Sequence, residues 1–318
     1  MLKKFIAVLI PAIALLTGCN FRLPQNDGKI NIVCTVFPYY DWTRQIVGDS
    51  DNINITYLLK NGADIHSFQP TADDIIRISD CDIFIYTGGE SDEWIENVLA
   101  NAQNKNMKIL NMLDIIADSA IEEEIKEGMD GKHNHDDGHD TEYDEHIWLS
   151  LNNAEKCVSE IWKVLYYADK ENSALYTDNA NQYIDEIKNL DNDFHTLFDN
   201  NPQTLIFGDR FPFRYFTEDY GLDYYAAFSG CSAETQASFK TITFLSRKID
   251  ELNSGTVFTI ENSDCSIADS IIANTKSQSQ NTAVLDSIQS VNSAQIEDGT
   301  TYLGIMNKNY NILNEALK

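Results

Sequence analysis

Basic residues are scarce: 23 Lys and Arg stand against 50 Asp and Glu in a chain of 318 residues, a formal net charge of −27. A folded body this acidic repels phosphate, which excludes nucleic acid and an anionic bilayer as surfaces bound through that body. Histidine is rarer still, with six in the whole chain. The cysteines Cys19, Cys34, Cys81, Cys157, Cys231 and Cys265 are widely spaced, with no C-x-x-C pair to support a zinc ribbon or a thioredoxin-type site. No H-E-x-x-H, no G-x-S-x-G and no paired acid–base motif occurs, so an envelope hydrolase has no motif behind it. After the first eighteen residues no apolar run approaches the roughly twenty residues of a membrane-spanning helix. What the chain does have is enough apolar residues (43%) and aromatics (15 Phe, 15 Tyr, 4 Trp) for two ordinary domains with buried cores, and too many for intrinsic disorder.

The amino terminus reads as an export signal, residues 1–18. Lys3 and Lys4 precede an apolar core, Phe5 to Leu16, too short to span a bilayer. It ends in Leu16-Thr17-Gly18-Cys19, which resembles the lipobox of bacterial lipoproteins. That resemblance implies cleavage before Cys19, lipid on its thiol, and residues 19–28 as a polar tether holding the mature chain to the outer face of the cell membrane. Cys34 and Cys81 sit in apolar strand-like runs and read as buried thiols. For Cys231 and Cys265, a disulfide and two separate thiols are both open.

Beyond the tether, strand and helix alternate. Strand-like runs at Ile30–Val36, Asn54–Leu59, Asp82–Tyr86 and Lys108–Leu113 are interleaved with amphipathic segments at Tyr39–Val47, Thr71–Ile78 and Asp92–Ala102. This pattern predicts an α/β lobe with a mostly parallel sheet. Residues 121–145 interrupt it; acidic, and carrying His133, His135 and His139, they read as a mobile surface loop. Helical spacing resumes at Asn152–Tyr167 and over a long stretch from about Glu171 to Asp199. A second alternating set follows from Thr204 to the closing helix, Tyr302–Leu317. The predicted organisation is an N-terminal α/β lobe (29–170), a linking helix (171–200) and a C-terminal α/β lobe (201–318).

Two histidines stand out by position, the first of them at a strand end, where α/β sheets place ligand sites. His66 lies in Gly62-Ala63-Asp64-Ile65-His66, just after a predicted strand, and His146 in Asp144-Glu145-His146-Ile147-Trp148-Leu149, where order resumes after the acidic loop. Imidazole with carboxylate is a donor set for zinc and similar metals. Residues alone do not bring the two into one site.

Several segments, in order, resemble the metal-specific solute-binding lipoproteins of bacterial ABC importers, the zinc- and manganese-binding family. They are Val36–Asp41, Gly62–Thr71, Ala72–Gly88, Asp144–Leu149, Phe213–Leu222 and Gly299–Leu317. The resemblance covers nearly the whole mature chain. It implies two α/β lobes joined by one long rigid helix, with a metal ion held in the cleft between them. It also implies transport rather than catalysis, an ABC permease as partner, and a monomer.

His66 and His146 match two of the family's ligands directly. The family's third ligand, a His or Glu, falls by count on Arg210, which cannot bind a cation. Asp209, one residue earlier, is the expected substitute if Pro212 marks a one-residue bulge; the alternative is an Asp209–Arg210 salt bridge and no ligand there. For the fourth, Asp286 is closest in type, with Glu261 and Gln289 as alternates. Two imidazoles and two carboxylates leave Zn2+ and Mn2+ both open as the transported ion. The His-containing acidic loop, similar to an insertion found mainly in zinc-type members, favours zinc. An adhesin-like role is the remaining alternative.

Overall fold

The computed structural model describes residues 28–131, 142–199, 203–232 and 236–317. Cys19 with the residues before it, and His133, His135 and His139, lie outside the described residues.

The first lobe runs β1 (Ile30–Cys34), α1 (Phe37–Val47), β2 (Ile53–Tyr57), α2 (Ala72–Asp80), β3 (Ile83–Tyr86), α3 (Trp94–Ala100), β4 (Lys108–Asn111), the short α4 (Met112–Ile115) and α5 (Leu151–Ala168). After α6 (Ser173–Phe198), the second lobe runs β5 (Thr204–Phe211), α7 (Arg214–Tyr220), β6 (Asp223–Ser229), α8 (Phe239–Leu252), β7 (Thr256–Ile260), α9 (Ser266–Ala273), β8 (Asn281–Leu285), α10 (Ser293–Glu297) and α11 (Tyr302–Ala316). Each lobe holds a four-stranded, wholly parallel sheet, ordered β2-β1-β3-β4 and β6-β5-β7-β8. The central strands β3, β5 and β7 are largely buried apolar runs, as strands covered on both faces must be; all five residues of β7, Thr-Val-Phe-Thr-Ile, are buried.

In both sheets the second strand goes to one side of the first and the third to the other. The crevice at that reversal, beyond the carboxyl ends of the strands, is where such sheets bind ligands. His66 follows β2, Ser91 follows β3, Arg210 lies near the end of β5 and Glu261 follows β7.

Helix α6 is 26 residues long, about 39 Å at 1.5 Å per residue. Its buried stripe, Tyr176, Ala180, Tyr183, Ile187, Leu190, Phe194 and Phe198, recurs every three or four positions. Near its start the Asn179 side chain donates to the carbonyl of Ile46 on α1, and near its end Phe194 meets Phe216 and Tyr310 edge-on.

The long helix is not the only connection. The Tyr302 hydroxyl donates to the carbonyl of Trp148 at 2.6 Å, its backbone N–H donates to Asp41, and its ring meets Trp42 edge-on. Tyr57 donates to the carbonyl of Val291, and Ser293 N–H to that of Lys60. The carboxyl-terminal residues therefore return onto the first lobe and brace both halves.

Two local expectations are corrected. The predicted strand at Lys108–Leu113 stops at Asn111, whose side chain accepts from Asp114 N–H and starts α4. Residues 121–131, predicted as the beginning of a mobile loop, form an extended strap along the second lobe. Asp130 bridges Phe228 in parallel and donates its N–H to Ala227, Lys126 pairs with Asp223, and Glu124 accepts from the Tyr224 hydroxyl. The free edge of β6 has backbone groups to satisfy, and the strap satisfies some of them despite its acidic composition.

Candidate metal centre

His66 sits on a 3-10 turn, Ile65–Ser67, whose preceding residue Asp64 accepts from the His66 N–H at 3.0 Å. The same carboxylate reaches across the cleft to Arg210 at 2.7 Å. Burial alone would raise the Asp64 carboxyl; Arg210 and His66 outweigh it and hold Asp64 below the ordinary carboxylate range. His146 is completely buried just before the turn Ile147–Leu149. Asp144 fixes it twice, accepting from its backbone N–H at 2.8 Å and facing its Nδ1 at 3.0 Å.

The two rings meet tip to tip, Nε2 to Nε2, at 3.3 Å. The proton of a neutral imidazole lies toward its better acceptor. For His146 that acceptor is Asp144, on the Nδ1 side. For His66, Nδ1 faces Ser91 Oγ at 2.8 Å and Glu145 Oε2 at 3.6 Å. Glu145 is itself buried; Ser91 N–H donates to its Oε1, while Oε2 has no hydrogen-bond partner. When both rings are neutral and carry their protons on Nδ1, two lone pairs face each other, an arrangement that a cation between them stabilises. Burial and the neighbouring His146 push His66 down to about 4, so this ring is neutral at neutral pH. For His146 burial acts in the same direction, but Asp144 outweighs it and holds the ring above its ordinary value.

A third donor joins the pair. The Cys231 thiol lies with both imidazoles in a group whose donor atoms are all within 4.8 Å of one another. Beside them opens a cleft of about 630 Å³, lined by Asp64 and His66 from the first lobe and by Asp209, Arg210, Glu261 and Asp264 from the second.

The sequence model of the family described as "ZnuA: Zinc-uptake complex component A periplasmic" matches residues 32–316. The chain belongs to this family. Its description is of a component of an uptake complex, a transport role rather than a catalytic one. The zinc-binding lipoprotein AdcA of Streptococcus pneumoniae R6 is 28% identical over 319 residues, covering 99% of this chain and 61% of AdcA. The chain thus spans less than two thirds of that relative. The high-affinity zinc uptake system protein ZnuA of Bacillus subtilis is 25% identical over 296 residues, covering 92% of this chain and 89% of the relative. Among solved structures, the Zn(II)-bound ZnuA-like domain of Streptococcus pneumoniae AdcA has a TM-score of 0.70 at 23% identity, over 91% of this chain and 99% of that one. The fold is shared.

Within this ZnuA-family chain the expected ligands divide. His66 and His146 are brought together. Asp209 lines the same cleft, but its carboxylate accepts from the N–H groups of Arg210 and Ile260 and lies outside the donor group. The β5–β6 register shifts between Phe207 and Arg210, so the irregularity falls on Gly208-Asp209 and not at Pro212. Arg210 pairs with Asp64, not with Asp209. Asp286 also lies outside the donor group. It accepts from Ile288 N–H, and burial, aided by Glu261, pushes its carboxyl up to about 7. Glu261 accepts from both the N–H and the hydroxyl of Ser287; Gln289 is buried and donates to the same hydroxyl.

Cys231 and Cys265 are free thiols, not a disulfide. Sequence reasoning weighed Cys231 only as a disulfide partner. The signal available for more was its place after Gly230 at the end of a strand, where α/β sheets gather ligands.

Proposed function

We propose that the chain is an extracytoplasmic receptor for a divalent metal, zinc in the first place, held by His66 and His146 and delivered to an ABC permease. The observation that carries this reading is the 3.3 Å Nε2–Nε2 separation with both Nδ1 atoms turned to other partners. An ion about 2.0–2.1 Å from each nitrogen in tetrahedral geometry requires the nitrogens to be about 3.3–3.4 Å apart. Asp209 and Asp286 act in this reading as outer carboxylates, since backbone N–H groups already occupy them. Lipid on Cys19 tethers the chain, which works as a monomer. Because Tyr302, Trp148 and α6 tie the halves together, uptake involves local movement at the cleft and no wide hinge.

Metal-free protein titrated by calorimetry with Zn2+ and Mn2+ tests this. One saturable site per chain, tighter for Zn2+, is the expected result; no one-to-one zinc binding refutes the reading. Asp144→Asn provides a second check. The carboxylate that orients His146 is lost, and zinc affinity is expected to fall about 10–100-fold, the usual effect of removing such a partner. An affinity equal to wild type would show that His146 is not oriented through Asp144.

A further inference from the structure

We propose that Cys231 is the third protein ligand, making a His2Cys centre that selects zinc-like ions over manganese. This rests on the preceding reading that the histidine pair binds metal.

The geometry favours the thiol over every carboxylate in the cleft. Among the described residues, the one group of three or more metal-ligating side chains is His66, His146 and Cys231. Its placement is built in. Gly230 closes the end of β6 against the His146 ring; a Cβ there would come within 2.9 Å of His146 Cε1 and 3.0 Å of the Phe211 carbonyl oxygen. Only glycine lets the backbone pass this close, and the next residue is then delivered beside the imidazole tips. The strap holds it there: Cys231 N–H donates to Glu123 Oε1 at 3.2 Å. A tetrahedral ion with Zn–N near 2.0–2.1 Å and Zn–S near 2.3 Å sets the N···S edges at about 3.5–3.6 Å, roughly 1 Å inside the span of the group.

The chemical consequence is selectivity. Manganese favours oxygen donors, whereas thiolate with imidazole suits zinc, cobalt and cadmium. Three protein donors also leave a fourth position open for water or an exchanging group.

Co2+ is the probe, added to the metal-free full chain and to Cys231→Ser, Cys231→Ala and Cys265→Ser. Wild type and Cys265→Ser are expected to show a near-ultraviolet thiolate-to-cobalt charge-transfer band, absent from both Cys231 variants. The ratio of Zn2+ to Mn2+ affinity is expected to fall about tenfold or more in those variants, since losing a group that merely orients a ligand already costs about 10–100-fold. Circular dichroism establishes that each variant is folded. A wild type that binds cobalt without the band overturns the inference, as does a band that survives Cys231→Ser or an unchanged metal ratio. A wild type that binds no metal overturns the receptor reading instead.

Discussion

Metal-free His146→Ala protein titrated with zinc is expected to lose about a thousandfold in affinity, to the point that no saturable one-to-one heat is measured. The size follows from the energetics of zinc centres. Apparent binding free energies of about 10–16 kcal/mol spread over three protein ligands give about 3–5 kcal/mol for each, and 4.1 kcal/mol is a thousandfold at 25 °C. His146 has no understudy. It is fully buried, its Nε2 faces His66, and its Nδ1 is engaged by Asp144. A thermal scan provides the companion readout. Zinc at a thousand times the wild-type dissociation constant stabilises the folded state by about 4.1 kcal/mol, so zinc raises the melting temperature of wild type and leaves that of the variant where it was. His66→Ala, at a less buried position, is expected to behave alike and guards against a variant that fails to fold. Binding by His146→Ala within tenfold of wild type would remove the histidine pair from the centre.

The two histidines were legible because His66 stands just after a strand and His146 where order resumes beyond the acidic loop, in segments whose order along the chain matches a known family. The topology was legible for a similar reason: buried β-branched runs alternating with amphipathic segments admit few architectures besides parallel α/β lobes. Three features were not legible, and each depends on contacts between residues remote in sequence. Glycine at 230 shows its purpose only when the His146 ring lies against it. Arg210, counted as an obstacle at a ligand position, becomes the partner of Asp64 across the cleft once the two lobes face each other. The strap at 121–131 is acidic and low in apolar residues, so its composition reads as loop; the unpaired edge of β6 and the groups at Asp223 and Tyr224 order it. Residue pattern reports local preference and burial, and these contacts are neither.

Trp148 is where fold and site meet, and Trp148→Ala is expected to cost about 3–5 kcal/mol of stability, the range for removing a large buried aromatic. The ring is fully buried, lies edge-on to Tyr39, and supports the His146 imidazole at 5.6 Å between centroids. Its Nε1–H donates to the carbonyl of Ser287 at 2.8 Å, and its own carbonyl accepts from Tyr302. One side chain thus fills the core beneath the His146 imidazole and reaches the segment that follows β8. Trp148→Phe separates the two roles: much of the ring is retained while the Ser287 carbonyl loses its donor, an expected cost of about 1–3 kcal/mol. Denaturant midpoints of the metal-free proteins should therefore fall in the order wild type, Trp148→Phe, Trp148→Ala. Zinc affinity should fall in the same order but by less than in His146→Ala, because tryptophan orients the imidazole and does not touch the ion. If Trp148→Ala costs less than about 1 kcal/mol, the brace between the lobes must rest on α6 and Tyr302 without it, and the His146 ring must be held by Asp144 and Gly230 alone.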